Sequence, residues 1–262
     1  MSRVYEFSGG TLPLLISVPH AGTDLPDGIR KRLTDTAQSL PDTDWFVDRL
    51  YDFAAEMGAS VIKANYSRYV IDLNRPPNDT PLYPGQSGTG LCPITLFDGT
   101  SLYKEGSAPD HNEIAHRLST YWIPYHDRLK AELVRLRGIH GKVLLWDGHS
   151  IKSFVPSLFE GRLPDLNIGT ADGTSCSSAI SDRIIKLLRQ NNRFSAVLNG
   201  RFKGGYITRH YGSPAAGINA VQLEISQDCY MEKNEKPIFL KTKAQKLLET
   251  IKALINRSLD SL

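Results

Sequence analysis

Short apolar runs alternate with amphipathic stretches along this chain. Leu14–Val18 (Leu-Leu-Ile-Ser-Val) carries no charge and runs into Pro19-His20, which predicts a strand buried on both faces. Residues 42–57 place Phe46, Leu50, Phe53 and Ala54 at helical spacing and are followed by Gly58, so they predict an amphipathic helix with a glycine cap. Ser60–Ala64 and residues 69–73 predict two further strands, and residues 142–147 another buried one. Residues 110–137 predict one long helix or two short ones parted at Pro124, which has no backbone N–H to give. Residues 177–189 predict a helix, 194–198 and 220–226 strands, and 241–255 a closing amphipathic helix. This alternation predicts an α/β single domain over residues 1–262, with a mixed, mostly parallel sheet flanked by helices. Residues 76–109 break the rhythm. They are rich in Pro, Gly, Thr and Asp and read as a long irregular excursion, which in a compact domain is functional or disordered.

Composition narrows the classes. The 262 residues are 40% hydrophobic and 23% charged, an ordinary globular balance rather than a disordered one. The net charge is +3 and no Lys/Arg run reaches five residues, which argues against nucleic-acid binding. No segment approaches the ~20 apolar residues of a membrane span. The N-terminus lacks a charged region leading into an apolar one, and the short run ending at Val18 reads as a strand rather than a signal peptide. Cys92, Cys176 and Cys229 are odd in number, far apart and outside any C-x-x-C, which points away from a disulfide framework and towards a reducing cytoplasm.

Ligands of such sheets bind beyond the carboxyl ends of the strands. There lie Pro19-His20-Ala21-Gly22, Asn74-Arg75-Pro76-Pro77 and Asp147-Gly148-His149-Ser150, with Glu224 inside the 220–226 strand. Two histidines and a carboxylate form a zinc-ligand set that leaves one position open. One histidine at a strand end is more often a hydrogen-bonded structural residue; two, at separate strand ends, favour the metal. Glu224 in an apolar strand is costly unless it has a role or faces water at a sheet edge. Arg68, Arg75, Arg201 and Arg209 fall near predicted strand ends, and a guanidinium fork suits carboxylates. Residues 204–212 are polar, aromatic and glycine-flanked. They read equally as a plain hairpin or as a lid carrying Arg209 and His210.

Taken in order, Ser17-Val18-Pro19-His20-Ala21-Gly22, Asp44-Trp45-Phe46-Val47-Asp48-Arg49-Leu50-Tyr51, Ser67-Arg68-Tyr69-Val70-Ile71-Asp72-Leu73-Asn74-Arg75, Asp147-Gly148-His149-Ser150, Gly204-Gly205-Tyr206-Ile207-Thr208-Arg209-His210-Tyr211-Gly212 and Gln222-Leu223-Glu224-Ile225 resemble the N-formylglutamate amidohydrolase family. That family is similar to the zinc carboxypeptidases and aspartoacylases, and the resemblance runs from about residue 14 to 231. It implies a zinc enzyme with His20 and His149 as ligands. Carboxypeptidases continue with His-x-x-Glu, but here Thr23 stands at that place, so the third ligand comes from elsewhere. Asp44 is favoured; Asp24 reads better as a turn residue. The resemblance further implies Glu224 as general base and Arg68 as the group polarising the scissile carbonyl. It gives Asn74 and Arg75 one substrate carboxylate, Arg209 a second, Tyr206 and His210 lesser substrate contacts, and Asp147 the orientation of a ligand. The implied substrate is a small N-acyl amino acid, N-formyl-L-glutamate, cleaved to glutamate and formate in histidine breakdown. Another N-acyl amino acid, a peptidoglycan-type amide, or a metal-free binding module are the competing readings. His111, His116, His126 and His140 read as helix or loop surface residues.

Overall fold

Strands and helices alternate in the computed structural model, which describes residues 3–82, 88–190, 193–233 and 236–262. The first half holds β1 (Tyr5–Ser8), β2 (Leu14–Val18), α1 (Asp27–Arg30), α2 (Asp35–Gln38), α3 (Ala54–Met57), β3 (Ser60–Ala64), α4 (His111–Arg117) and α5 (Ile123–His140). The second holds β4 (Val143–Ile151), β5 (Leu166–Gly169), α6 (Ser178–Gln190), β6 (Ala196–Leu198), α7 (Tyr206–Tyr211), β7 (Ile218–Ser226), β8 (Met231–Lys233), β9 (Pro237–Phe239) and α8 (Lys241–Leu259). Among the described residues, seven strands form the main sheet in the order β1-β3-β2-β4-β7-β5-β6. The neighbours β3, β2, β4 and β7 run parallel, as do β5 and β6; β1 and β5 join antiparallel. The sheet is therefore mixed and mostly parallel, with helices on both sides.

The apolar periodicity explains the layers. α6 buries Ile180, Ile184 and Leu188, one per turn, and α8 buries Leu247, Ile251, Leu254 and Ile255. Both pack with Leu14, Ile16, Trp146, Val221 and Leu223 on one sheet face. α5 buries Tyr125, Leu129, Leu133 and Leu136 with Leu15, Ile62, Val143, Leu145 and Ala220 on the other. Each fully buried Leu or Ile adds roughly 1.5–3 kcal/mol.

Several elements differ from the sequence expectation. Residues 42–57 are not one helix. Leu40 and Phe46 take left-handed backbone (φ 54° and 59°), and only a 3₁₀ turn, Asp48–Tyr51, and the short α3 follow. The chain unwinds because two carboxylates turn inward: Asp42 accepts from Tyr69 Oη and the Phe97 N–H (both 2.9 Å), and Asp44 from the Ser150 N–H (3.1 Å). Gly58 does cap α3, at φ 86°. Residues 69–73 are not a strand either. They form buried turns, closed by Val70 N–H to Ser67 O and pinned by Asp72 N–H to Leu91 O. Their apolarity serves enclosure, not sheet pairing. Around Pro124 the helix does not break. A π turn, Leu118–Trp122, links α4 to α5 and takes up the missing donor. β4 runs past Asp147 to Ile151, so Asp147 and His149 lie within a strand rather than after it. Residues 204–212 are not a hairpin but carry α7. β1 and β5 were not expected from the pattern. Residues 83–87 of the 76–109 excursion lie outside the described residues; around them Leu91, Cys92, Leu96, Leu102 and Tyr103 are buried, so that stretch is packed. No described helix is long and apolar enough to cross a membrane.

Candidate active site

Alternate residues of a strand share a face. One face of β4 therefore presents Val143, Leu145, Asp147 and His149, and the matching face of β7 presents Ala220, Gln222 and Glu224. The first half of each row is apolar and lies in the α5 layer; the second half opens into a cavity. The register sets His149 beside Glu224, and Ser17 of β2 beside Asp147. β7 is interior to the sheet, so Glu224 is no edge residue facing water. Gly148 is required for close approach: a Cβ there would lie 2.4 Å from the Tyr51 ring.

His20, Asp44 and His149 meet at the head of this face, all buried, with one ligand atom from each within 4.8 Å of the others. Nδ1 of His149 is 3.1 Å, and Nδ1 of His20 3.9 Å, from Asp44 Oδ2. Each Nε2 is occupied behind. That of His20 donates to Asp72 Oδ1 (2.7 Å) and that of His149 to Asp147 Oδ2 (3.0 Å). Asp147 also accepts from Ser17 Oγ (2.8 Å). Burial opposes ionisation of Asp44 and Asp72, but the histidines and Arg68 outweigh it and hold both carboxyls below the usual range, Asp72 well below. Burial and the Arg68 charge depress His20, whereas at His149 the Asp147 and Asp44 carboxylates overcome burial and lift it well above the ordinary value.

The cavity beyond is lined by His20, Asp44, Arg68, Asn74, Arg75, His149, Arg201 and Glu224, with Phe97, Ile151, Leu158 and Phe202 as apolar wall. Arg68 is clamped by Asp72 Oδ2 (2.7 Å) and lies 3.6 Å from Asp44 Oδ1, and its Nε is buried without a hydrogen-bond partner among the described residues. Burial pushes the Glu224 carboxyl up to about 8, with the nearby Asp44 charge adding and the His149 charge opposing. Its Oε2 accepts from Gln222 Nε2 at 3.3 Å. Asn74 is locked in orientation: its Oδ1 accepts the Ile207 N–H (2.8 Å), which turns its NH₂ towards Asp147. Gly205 makes room for it, since a Cβ there would fall 2.3 Å from Asn74 Nδ2. Arg75 donates from Nε to Thr89 O (2.7 Å). The excursion thus supplies part of the wall through Gly88, Thr89 and Phe97.

Not every expected residue reaches this cavity. Asp24 sits apart, bridging to Tyr66 by backbone. Tyr206, Arg209 and His210 are not among the described lining residues. Tyr206 and His210 stack on each other (4.7 Å, 15°), and Arg209 Nε donates back to Gly204 O (2.8 Å). His126 is buried, not on the surface. It stacks on Trp122 (3.7 Å), donates from Nε2 to Leu73 O (2.9 Å) and meets Tyr211 Oη at Nδ1 (2.9 Å). With Trp122 Nε1 donating to Arg75 O (3.0 Å), it fixes the backbone on either side of Asn74. Sequence reasoning also missed Asp72, although a lone carboxylate in Tyr-Val-Ile-Asp-Leu was the available signal, because burying it demands partners.

The donor set fits a small divalent cation. Zinc bonds of ~2.0–2.2 Å in a tetrahedron set neighbouring donors roughly 3.4 Å apart, which the 3.1 and 3.9 Å separations bracket. With each Nε2 held by a carboxylate behind it, Nδ1 is the nitrogen that faces Asp44 and would bind a cation in place of a proton, the arrangement that orients histidine ligands.

Comparison with known proteins agrees in sequence and in fold. The sequence profile described as N-formylglutamate amidohydrolase matches residues 12–231. The chain is 52% identical over 255 residues to the N-formylglutamate deformylase of Pseudomonas putida, covering 97% of this chain and 95% of that one. It is 50% identical over 262 residues to the N-formylglutamate deformylase of Pseudomonas aeruginosa, covering 100% and 97%. In fold it resembles the crystal structure of N-formylglutamate amidohydrolase from Ralstonia eutropha JMP134, with a TM-score of 0.83, 24% identity, and 98% and 97% of the two chains covered. A crystallised protein of Agrobacterium tumefaciens gives 0.73 at 20% identity, with 99% and 96% covered. With its profile match and two relatives near half identity over almost their whole length, the chain belongs to the N-formylglutamate amidohydrolase family.

Proposed function

We propose that this cavity hydrolyses the formamide of N-formyl-L-glutamate to L-glutamate and formate, with zinc as cofactor. The observation that carries the reading is the convergence of two histidine Nδ1 atoms and the Asp44 carboxylate, with Glu224 and Arg68 in the same cavity. The names of the Pseudomonas relatives support the substrate. His20, Asp44 and His149 would hold the zinc ion, which would supply Lewis acidity there. Glu224 takes a proton from the attacking water and returns it to the leaving amine nitrogen; a carboxyl whose pKa is lifted by burial suits both transfers. Arg68, which lines the cavity and is held by Asp72, offers its guanidinium to the oxygen that gains charge as the formyl carbon becomes tetrahedral. Arg75, beside the locked Asn74, receives a substrate carboxylate. The phenyl and alkyl wall of Phe97, Leu158 and Phe202 accepts the methylenes. On this reading the enzyme serves histidine breakdown, and its three unpaired cysteines support a cytoplasmic setting.

The test is product analysis. Zinc-loaded protein incubated with N-formyl-L-glutamate is expected to release formate and glutamate in equal amounts. Absence of both would contradict the substrate.

A further inference from the structure

A substrate with two carboxylates needs two cationic receivers, and the cavity offers them unequally. Arg68 is committed to Asp72 and lies against Asp44, so its charge is already matched. Arg75 adjoins Asn74, whose amide nitrogen is 3.0 Å from His149, which puts its backbone next to the reacting end. Arg209 does not line the cavity, but Arg201 does. Arg201 lies in the loop between β6 and α7, whereas Arg75 ends the turns of residues 67–75. Its Nε donates to Leu158 O (2.6 Å) and its guanidinium lies 5.3 Å from the Phe202 ring centre. Phe202 packs in turn with Phe159, and both belong to a small apolar cluster with Ile151, Val155 and Leu163. These contacts help to fix the guanidinium plane at a wall built of apolar side chains, where a charge-assisted bond is worth most.

We propose that Arg201 is the specificity-determining residue of the site and receives the distal carboxylate of the substrate, while Arg75 receives the carboxylate next to the amide. This rests on the formylglutamate reading above. In that substrate the first carboxylate is attached to the carbon bearing the amide nitrogen, and the second is two methylenes further away. A receiver beside Asn74 matches the near one. A receiver across the Leu158–Phe202 wall matches the far one, with the methylenes against the apolar surface between them.

The experiment compares kcat/KM for N-formyl-L-glutamate with that for N-formyl-L-glutamine, which differs only in a neutral distal amide. Wild-type enzyme is expected to prefer the glutamate compound by on the order of 100-fold, the scale of an unmatched buried charge. In Arg201→Met that ratio is expected to fall close to one, with the loss carried by the glutamate compound. Arg201→Lys keeps the charge and is expected to restore part of the ratio. Arg75→Met is expected to lower both compounds together, because both keep the near carboxylate. If Arg201→Met lowers both compounds in proportion, or leaves the preference intact, the assignment is overturned. If wild-type enzyme releases formate from neither compound, the substrate reading itself fails, an outcome distinct from a preference that merely does not depend on Arg201.

Discussion

The two faces of β4 and β7 come from the same residues in alternation, yet they are built to opposite ends. One face reads Leu144 and Trp146 on β4 and Val221, Leu223 and Ile225 on β7, and it is covered by α6 and α8. The other begins alike, with Val143, Leu145 and Ala220 in the α5 layer, then turns to Asp147, His149, Gln222 and Glu224. The difference is how far the cover extends. Where α5 stops covering the sheet, the turns of residues 67–75 and the excursion fold over it and bring Arg68, Asp72, Asn74 and Arg75. Each buried charge there has a partner, which is the condition for burying it at all. Glu224 is the exception: it has one long contact to Gln222 and a carboxyl lifted to about 8. A group left so poorly matched destabilises the fold, which marks it as the candidate for the chemistry proposed above. One face holds the protein together; the other spends part of that stability on a site.

The sharpest way to break the contrast is at Glu224. Glu224→Gln keeps the shape and removes the base. Turnover is expected to fall by on the order of 1,000-fold with bound zinc unchanged; a loss under about tenfold would remove Glu224 from the chemistry. On the opposite face, Leu223→Ala empties a fully buried site and is expected to cost about 2–5 kcal/mol in urea unfolding. Its turnover per folded molecule should match wild type; activity lost without loss of stability would mean that the faces are not separate.

The smallest effect concerns His126, beneath the polar half. Burial depresses its pKa to about 3. In the unfolded chain it takes a proton near pH ~6.5, so between these values the unfolded state binds more protons. Stability contributed by the neutral, buried ring is therefore complete above pH ~6.5 and is lost as pH falls towards 3. His126→Gln should flatten that limb. From pH 7 to pH 5, wild type is expected to lose about 2 kcal/mol more than the variant in urea unfolding, and parallel curves would contradict the linkage.

What the sequence revealed follows the same division. Leu14–Val18 and the helical rows of α6 and α8 are legible because burial against a sheet imposes a simple period. His20, His149 and Glu224 are legible because a polar side chain in or just after an apolar strand is costly to bury without partners, and three such positions occur on separate strands. Residues 42–57 and 69–73 are not, because their apolar side chains are enclosed by irregular backbone, and a run or spacing of apolar residues cannot tell that from a helix or strand. Asp72 and His126 escape for a related reason: each acquires its place from a partner distant in sequence, namely His20 and Tyr211. Tyr206 and His210 look functional in sequence, yet in α7 they stack on one another beside the wall.

The central claim is that the polar half of this face is a metal-dependent amide-hydrolysing centre. The most direct test is formate release from N-formyl-L-glutamate by protein stripped with a chelator and then given zinc, run beside Asp44→Ala. Wild-type enzyme is expected to lose activity on stripping, to take up one zinc per chain and to regain its rate, whereas Asp44→Ala should do neither. Undiminished turnover in fully stripped protein would contradict the claim.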